Sequence, residues 1–150
     1  MLERKFTSYL TKFLTEERNK ILLVNGARQI GKSYLIRYVG RKLFSHFVEI
    51  NLKEDIEGDK VFADVRTTDD LYMRLSNYCP TPLGDNTDTL VFLDEIQSYP
   101  HLMTMLKFLN QESRYRFIAS GSQLGVALAQ TPSVPLGSVT IEQMYPLDFE

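Results

Sequence analysis

The chain has 150 residues, enough for one domain with a sizeable core, and 43% of them are hydrophobic, as in a globular protein. Its net charge of −2 argues against a protein whose main task is to hold nucleic acid, and its single cysteine, Cys79, excludes an internal disulfide. There is no apolar stretch long enough to span a membrane and no secretory h-region at the N-terminus, so a reducing, cytoplasmic setting is expected.

Leu2, Phe6, Tyr9, Leu10, Phe13 and Leu14 follow helical spacing, which predicts an amphipathic helix over 2–17. The apolar run Ile21-Leu22-Leu23-Val24 predicts a buried strand over 20–25. A glycine-containing loop follows. Leu35, Ile36, Val39 and Leu43 then recur at helical spacing up to 43, with Arg37, Arg41 and Lys42 read as a solvated face. His46 to Asn51 alternates as a second strand, and the polar residues 52–66 are expected to be irregular. Thr67 or Thr68 can cap a helix running to Tyr78, with Asp69 and Asp70 well placed in its first turn. Residues 79–88 are rich in Pro, Gly, Asn and Asp and predict a loop in which Cys79 is a bland surface thiol. Leu90 to Leu93 predicts a third strand, His101 to Asn110 one helix, and Tyr115 to Ala119 a fourth strand. A short helix over 122–130, a loop over 131–135 and a fifth strand from Val139 to Met144 complete the reading. Strands alternating with helices argue for a parallel sheet covered on both faces, which binds ligands at the carboxyl ends of its strands.

Two motifs fall at such ends. Gly26-Ala27-Arg28-Gln29-Ile30-Gly31-Lys32-Ser33 fits a phosphate-binding loop, with its glycines spaced before lysine and a hydroxyl residue. Glycines let the backbone curl so that N–H groups point at a phosphate, and the following helix directs its positive end there. Lys32 can reach the β and γ phosphates and the Ser33 hydroxyl can coordinate Mg²⁺. The nucleotide-binding set is therefore Gly26 through Ser33, with Tyr34 next to it. The second motif is Leu90-Val91-Phe92-Leu93-Asp94-Glu95. A carboxylate ending an apolar strand suits Mg²⁺ held through its water shell, a role for Asp94. Glu95 can polarise an attacking water as general base. After the fourth strand, Ser120 or Ser122 can sense the γ-phosphate.

Together with Ala119-Ser-Gly-Ser122 and Tyr145-Pro-Leu-Asp-Phe-Glu150, these motifs resemble a family of AAA-superfamily ATPases widespread in bacteria and archaea. The resemblance spans essentially the whole chain. It implies a three-layer αβα P-loop NTPase core in one domain, 1–150, with a mainly parallel five-stranded sheet ordered 5-1-4-3-2. It also implies ATP and Mg²⁺ as ligands. Lys32 and Ser33 take the first-motif places, Asp94 and Glu95 the second, and Ser120 or Ser122 the sensor place. Relatives continue into a lid and a C-terminal domain of unknown function, so a truncated core is expected. Ser138 stands where relatives carry arginine, and no cation follows Arg116. An arginine finger is then not expected from that segment; Arg28 can partly substitute for it, and Arg66, Arg74 or Arg114 can act in trans only in a homo-oligomer.

Two functional readings stay open: Mg²⁺-dependent ATP hydrolysis, and an ATP-operated switch or scaffold that controls a C-terminal or partner DNA-acting domain. GTP is disfavoured, since only Leu52-Lys53-Glu54-Asp55 approaches a guanine-specifying loop and it precedes Asp94. Protein-kinase chemistry is disfavoured by the lack of a Gly-x-Gly-x-x-Gly run. No membrane partner is expected, and this segment does not support a nucleic-acid partner.

Overall fold

In the computed structural model, residues 5–16, 20–26, 31–122 and 124 are described in full, and 2–4 and 139–143 as backbone. Helix α1 (Leu2–Glu16) leads to strand β1 (Ile21–Asn25), helix α2 (Lys32–Leu43) and strand β2 (His46–Asn51). Helices α3 (Leu52–Glu57) and α4 (Thr68–Tyr78) precede strand β3 (Thr89–Asp94). A single 3-10 turn (Ile96–Ser98) and helices α5 (Pro100–Thr104) and α6 (Leu106–Glu112) then lead to strands β4 (Arg116–Gly121) and β5 (Val139–Gln143).

The sheet runs β2-β3-β4-β1-β5 with every pairing parallel. Its interior order 1-4-3-2 is carried by four strands with described side chains, and β5 joins the free edge of β1 by backbone pairing, Ile21 opposite Val139. Alternation along each strand divides the core between two faces. Ile21, Leu23, Val91, Leu93, Phe117 and Ala119 meet α3, α4, α5 and α6 through residues such as Leu52, Leu71, Leu102 and Leu106. Leu22, Val24, Leu90, Phe92 and Ile118 meet Phe6, Leu10, Phe13, Leu35, Ile36 and Val39 of α1 and α2. Burial on both faces is why β1 and β3 read as continuous apolar runs.

The helix expected after Thr67 is capped by that side chain, which accepts from the Asp70 amide at 3.1 Å. Two expectations need correction. The stretch 52–66 is not wholly irregular, because Asn51 caps α3 by accepting from the Glu54 amide at 3.0 Å and Leu52 is fully buried. The Asp55 carboxylate then organises the polar turn by accepting from the Val61 and Phe62 amides and the Tyr99 hydroxyl. The helix expected over His101 to Asn110 is two helices, which begin earlier at Pro100 and end later at Glu112, with a break at Met105. The expected segments over 122–130 and 131–135 lie largely or wholly outside the described residues.

Candidate nucleotide site

The parallel register brings strand carboxyl ends to one rim: Asn51 lies opposite Asp94, and Asn25 opposite Gly121. The phosphate-loop motif starts at this rim, where the Gly26 amide donates to the Gly121 carbonyl at 3.0 Å. Ala27, Arg28, Gln29 and Ile30 lie outside the described residues. The loop ends at Gly31, which precedes α2 with φ 83° and ψ 13°, a left-handed conformation that glycine adopts without strain. Lys32 opens α2 and is 1% exposed.

Ser33 and Asp94 are 61 positions apart in sequence, yet Ser33 Oγ donates to Asp94 Oδ2 at 2.8 Å. The other carboxylate oxygen, Asp94 Oδ1, accepts from Ser120 Oγ at 2.6 Å and from the Glu95 amide at 2.9 Å. Ser120 is fully buried and a serine hydroxyl has one proton to donate, so that proton is committed to Asp94. Glu95 follows with φ 57° and ψ 48°, an uncommon conformation for a residue with a side chain. The residue is 4% exposed and its Oε1 accepts from Gln97 Nε2 at 2.7 Å. Ser122 sits half-buried just past β4, and Tyr34 is 60% exposed on α2.

A hydroxyl and a carboxylate in contact form a hard-oxygen pair of the type Mg²⁺ takes together with phosphate oxygens and water. The donor set therefore fits a Mg²⁺-nucleotide.

The arginines divide differently from expectation. Arg37 makes two hydrogen bonds to Glu49, at 2.6 and 2.8 Å, and is not simply solvated. The Glu49 bonds strengthen its hold on its proton, partly opposed by burial, with smaller contributions from the charges of Glu49 and Asp94. Arg41 lies over the Phe47 ring, 5.9 Å from its centroid. Arg74 is engaged by Asp64, Asp70 and the Val61 carbonyl, and Arg114 lies over Tyr72 and Tyr115. Arg66 is exposed, and Arg28 lies outside the described residues. Cys79 is half-buried, and burial pushes its thiol pKa up, in keeping with an unreactive side chain.

The profile of a family described as "AAA domain" matches residues 18–150. The chain belongs to that family. AAA membership implies nucleotide binding and supports nucleotide-dependent ATPase activity in general terms. A solved structure of PCH-2 from C. elegans is similar to this AAA domain with a TM-score of 0.58 at 14% identity. The likeness, which is one of fold, covers 98% of this chain and 43% of that one, so the chain spans less than half of that protein's length. No curated protein matches the chain. Among the described residues no helix is long and apolar enough to cross a membrane.

Neither Gln97, two positions beyond Glu95, nor Asn25, whose Oδ1 accepts from the Leu124 amide at 3.0 Å, stood out among the candidate residues of the sequence. Nothing in a linear sequence signals either contact.

Proposed function

We propose that this AAA domain binds Mg-ATP and hydrolyses it to ADP and phosphate. The observation that carries the proposal is the Ser33–Asp94 hydrogen bond, because it joins the two motifs that a Mg²⁺-nucleotide site requires. In this reading the amides of the 26–33 loop and the Lys32 ammonium bind the β and γ phosphates. Ser33 and Asp94 hold Mg²⁺, and Ser120 and the Glu95 amide keep the Asp94 carboxylate oriented. Bound Mg²⁺ supplies charge neutralisation on the phosphate oxygens. Glu95 orients a water for in-line attack on the γ-phosphorus and accepts its proton as the bond to the leaving ADP oxygen breaks. Ser122 is the remaining candidate for a γ-phosphate contact.

Calorimetry and a turnover assay test the proposal. Lys32→Ala should lose Mg-ATP affinity, and unchanged affinity would refute the binding role. Glu95→Gln should keep ATP but lose turnover, and wild-type turnover would remove Glu95 as the base.

A second reading, in which ATP works a switch with little intrinsic turnover, draws support from Arg74 and Arg114. Both are committed to contacts within the chain, which leaves fewer arginines to act in trans. A phosphate-contacting arginine contributes roughly 10³–10⁵ in rate in P-loop enzymes. Turnover of a few per second by the purified chain would count against this reading.

A further inference from the structure

Gln97 lies in the 3-10 turn immediately after Glu95, and its amide is used asymmetrically. Nε2 donates to Glu95 Oε1 at 2.7 Å, while Oε1 is buried with no hydrogen-bond partner. Exchanging the two amide atoms would set oxygen against carboxylate oxygen, so the glutamate itself dictates which atom is orphaned. The orphaned oxygen is aimed at the end of β4. A Cβ on Gly121 would collide with it and crowd Leu124 Cδ2 as well. Absence of a side chain at 121 therefore makes room for Gln97. The Gly121 carbonyl, in turn, receives the Gly26 amide at the start of the phosphate loop.

The glutamine carries a cost, a buried acceptor without a partner, alongside its bond to Glu95. An apolar side chain of the same length would remove that orphan but would also take the donor from the buried Glu95 carboxylate. What only a donor can do at this point is fix the rotation of the Glu95 carboxylate. Glu95 departs from its backbone in the left-handed region, so the strand direction does not by itself aim its side chain.

We infer that Gln97 is a positioning residue: its amide holds the Glu95 carboxylate in the orientation needed to meet the attacking water, braced against Gly121 at the end of β4. The inference rests on the reading of Glu95 as general base.

The test uses the full chain carrying Gln97→Met, which keeps length and loses the donor. Steady-state Mg-ATP hydrolysis and thermal denaturation are measured together. The expected result is a kcat lowered roughly 10- to 100-fold, the scale of a misplaced reacting group. KM should stay within about twofold and Tm should move by no more than about 5 °C, since the orphan acceptor removed offsets the hydrogen bond lost from the buried Glu95 carboxylate. In a Glu95→Asp background, where the shortened carboxylate has already left the amide, adding Gln97→Met should lower kcat little further. Wild-type kcat in Gln97→Met overturns the inference. So does a kcat loss that multiplies through in the double variant, or a rise in KM that tracks a fall in Tm. If Gln97→Met does not fold, Gln97→Glu replaces it, with the same expected kcat loss and the same refuting result. A wild-type chain that hydrolyses no Mg-ATP overturns the proposed hydrolysis and this inference with it. A fast wild type with equally fast Gln97 variants overturns this inference alone.

Discussion

Ser120→Ala isolates one short bond at the centre of the site. The hydroxyl is fully buried and donates to Asp94 Oδ1 at 2.6 Å. A hydrogen bond to a charged group contributes about 1.5–3 kcal/mol net. Alanine leaves little void, and Asp94 Oδ1 keeps the Glu95 amide at 2.9 Å, so no atom of the carboxylate is stranded. The lower end of the range applies, and the expected loss is about 1.5 kcal/mol. For a domain of this length 1 kcal/mol moves Tm by about 2–4 °C, which gives a fall of about 3–6 °C. Urea denaturation with an unchanged m-value is the assay. Because the single hydroxyl proton is already spent on Asp94, the variant should lose Mg-ATP affinity while keeping its affinity for metal-free ATP. Full stability combined with a selective loss of discrimination between ATP and ADP would refute the reasoning and return Ser120 to the sensor role expected from sequence.

Gly121→Ala drives a methyl into Gln97 Oε1 and Leu124, and overpacking of this kind costs about 1–3 kcal/mol by chemical denaturation. A variant as stable as wild type would show that the Gln97 side chain moves freely. Arg37 and Glu49 are 37% and 23% exposed, so Arg37→Ala should cost no more than about 1 kcal/mol, with the effect shrinking in high salt. A larger, salt-insensitive loss would assign Arg37 a further partner. The phenols of Tyr72 and Tyr99 are raised above the ordinary value of about 10, chiefly by burial and then by their bonds to Glu112 and Asp55. The folded chain thus keeps protons that the unfolded chain releases, so stability should fall as pH rises above about 10. Tyr72→Phe and Tyr99→Phe should each flatten that fall in urea midpoints measured from about pH 8 to about pH 11, and an unchanged slope in both would refute the assignment.

Much of the fold was legible because its signals are local. The apolar runs of β1 and β3, the helical spacing of α1 and α2, and the threonine before Asp69-Asp70 each report a structure formed by nearby residues. The α3 region was missed because its order comes from side chains that read as loop composition. Asn51 and Asp55 gather amides from up to seven positions away, and Tyr99 reaches Asp55 from 44 positions away. The break at Met105 was hidden because apolar spacing continues across it while the backbone turns. At the site, spacing and residue type marked Lys32, Ser33 and Asp94 as candidates. The arrangement of Ser120 beneath Asp94 and of Gln97 against Glu95 depends on how β4 docks beside β3, and periodicity carries no trace of that.

The parallel sheet also has a kinetic consequence. Ser33 meets Asp94 across 61 residues, and that contact requires β1 to have paired with β4, a strand not successive to it in the chain. Such pairings incur loop-closure entropy before they return any stabilisation, which makes them late events in folding. The polar rim is therefore assembled last, and refolding followed by nucleotide binding should lag refolding followed by helix content.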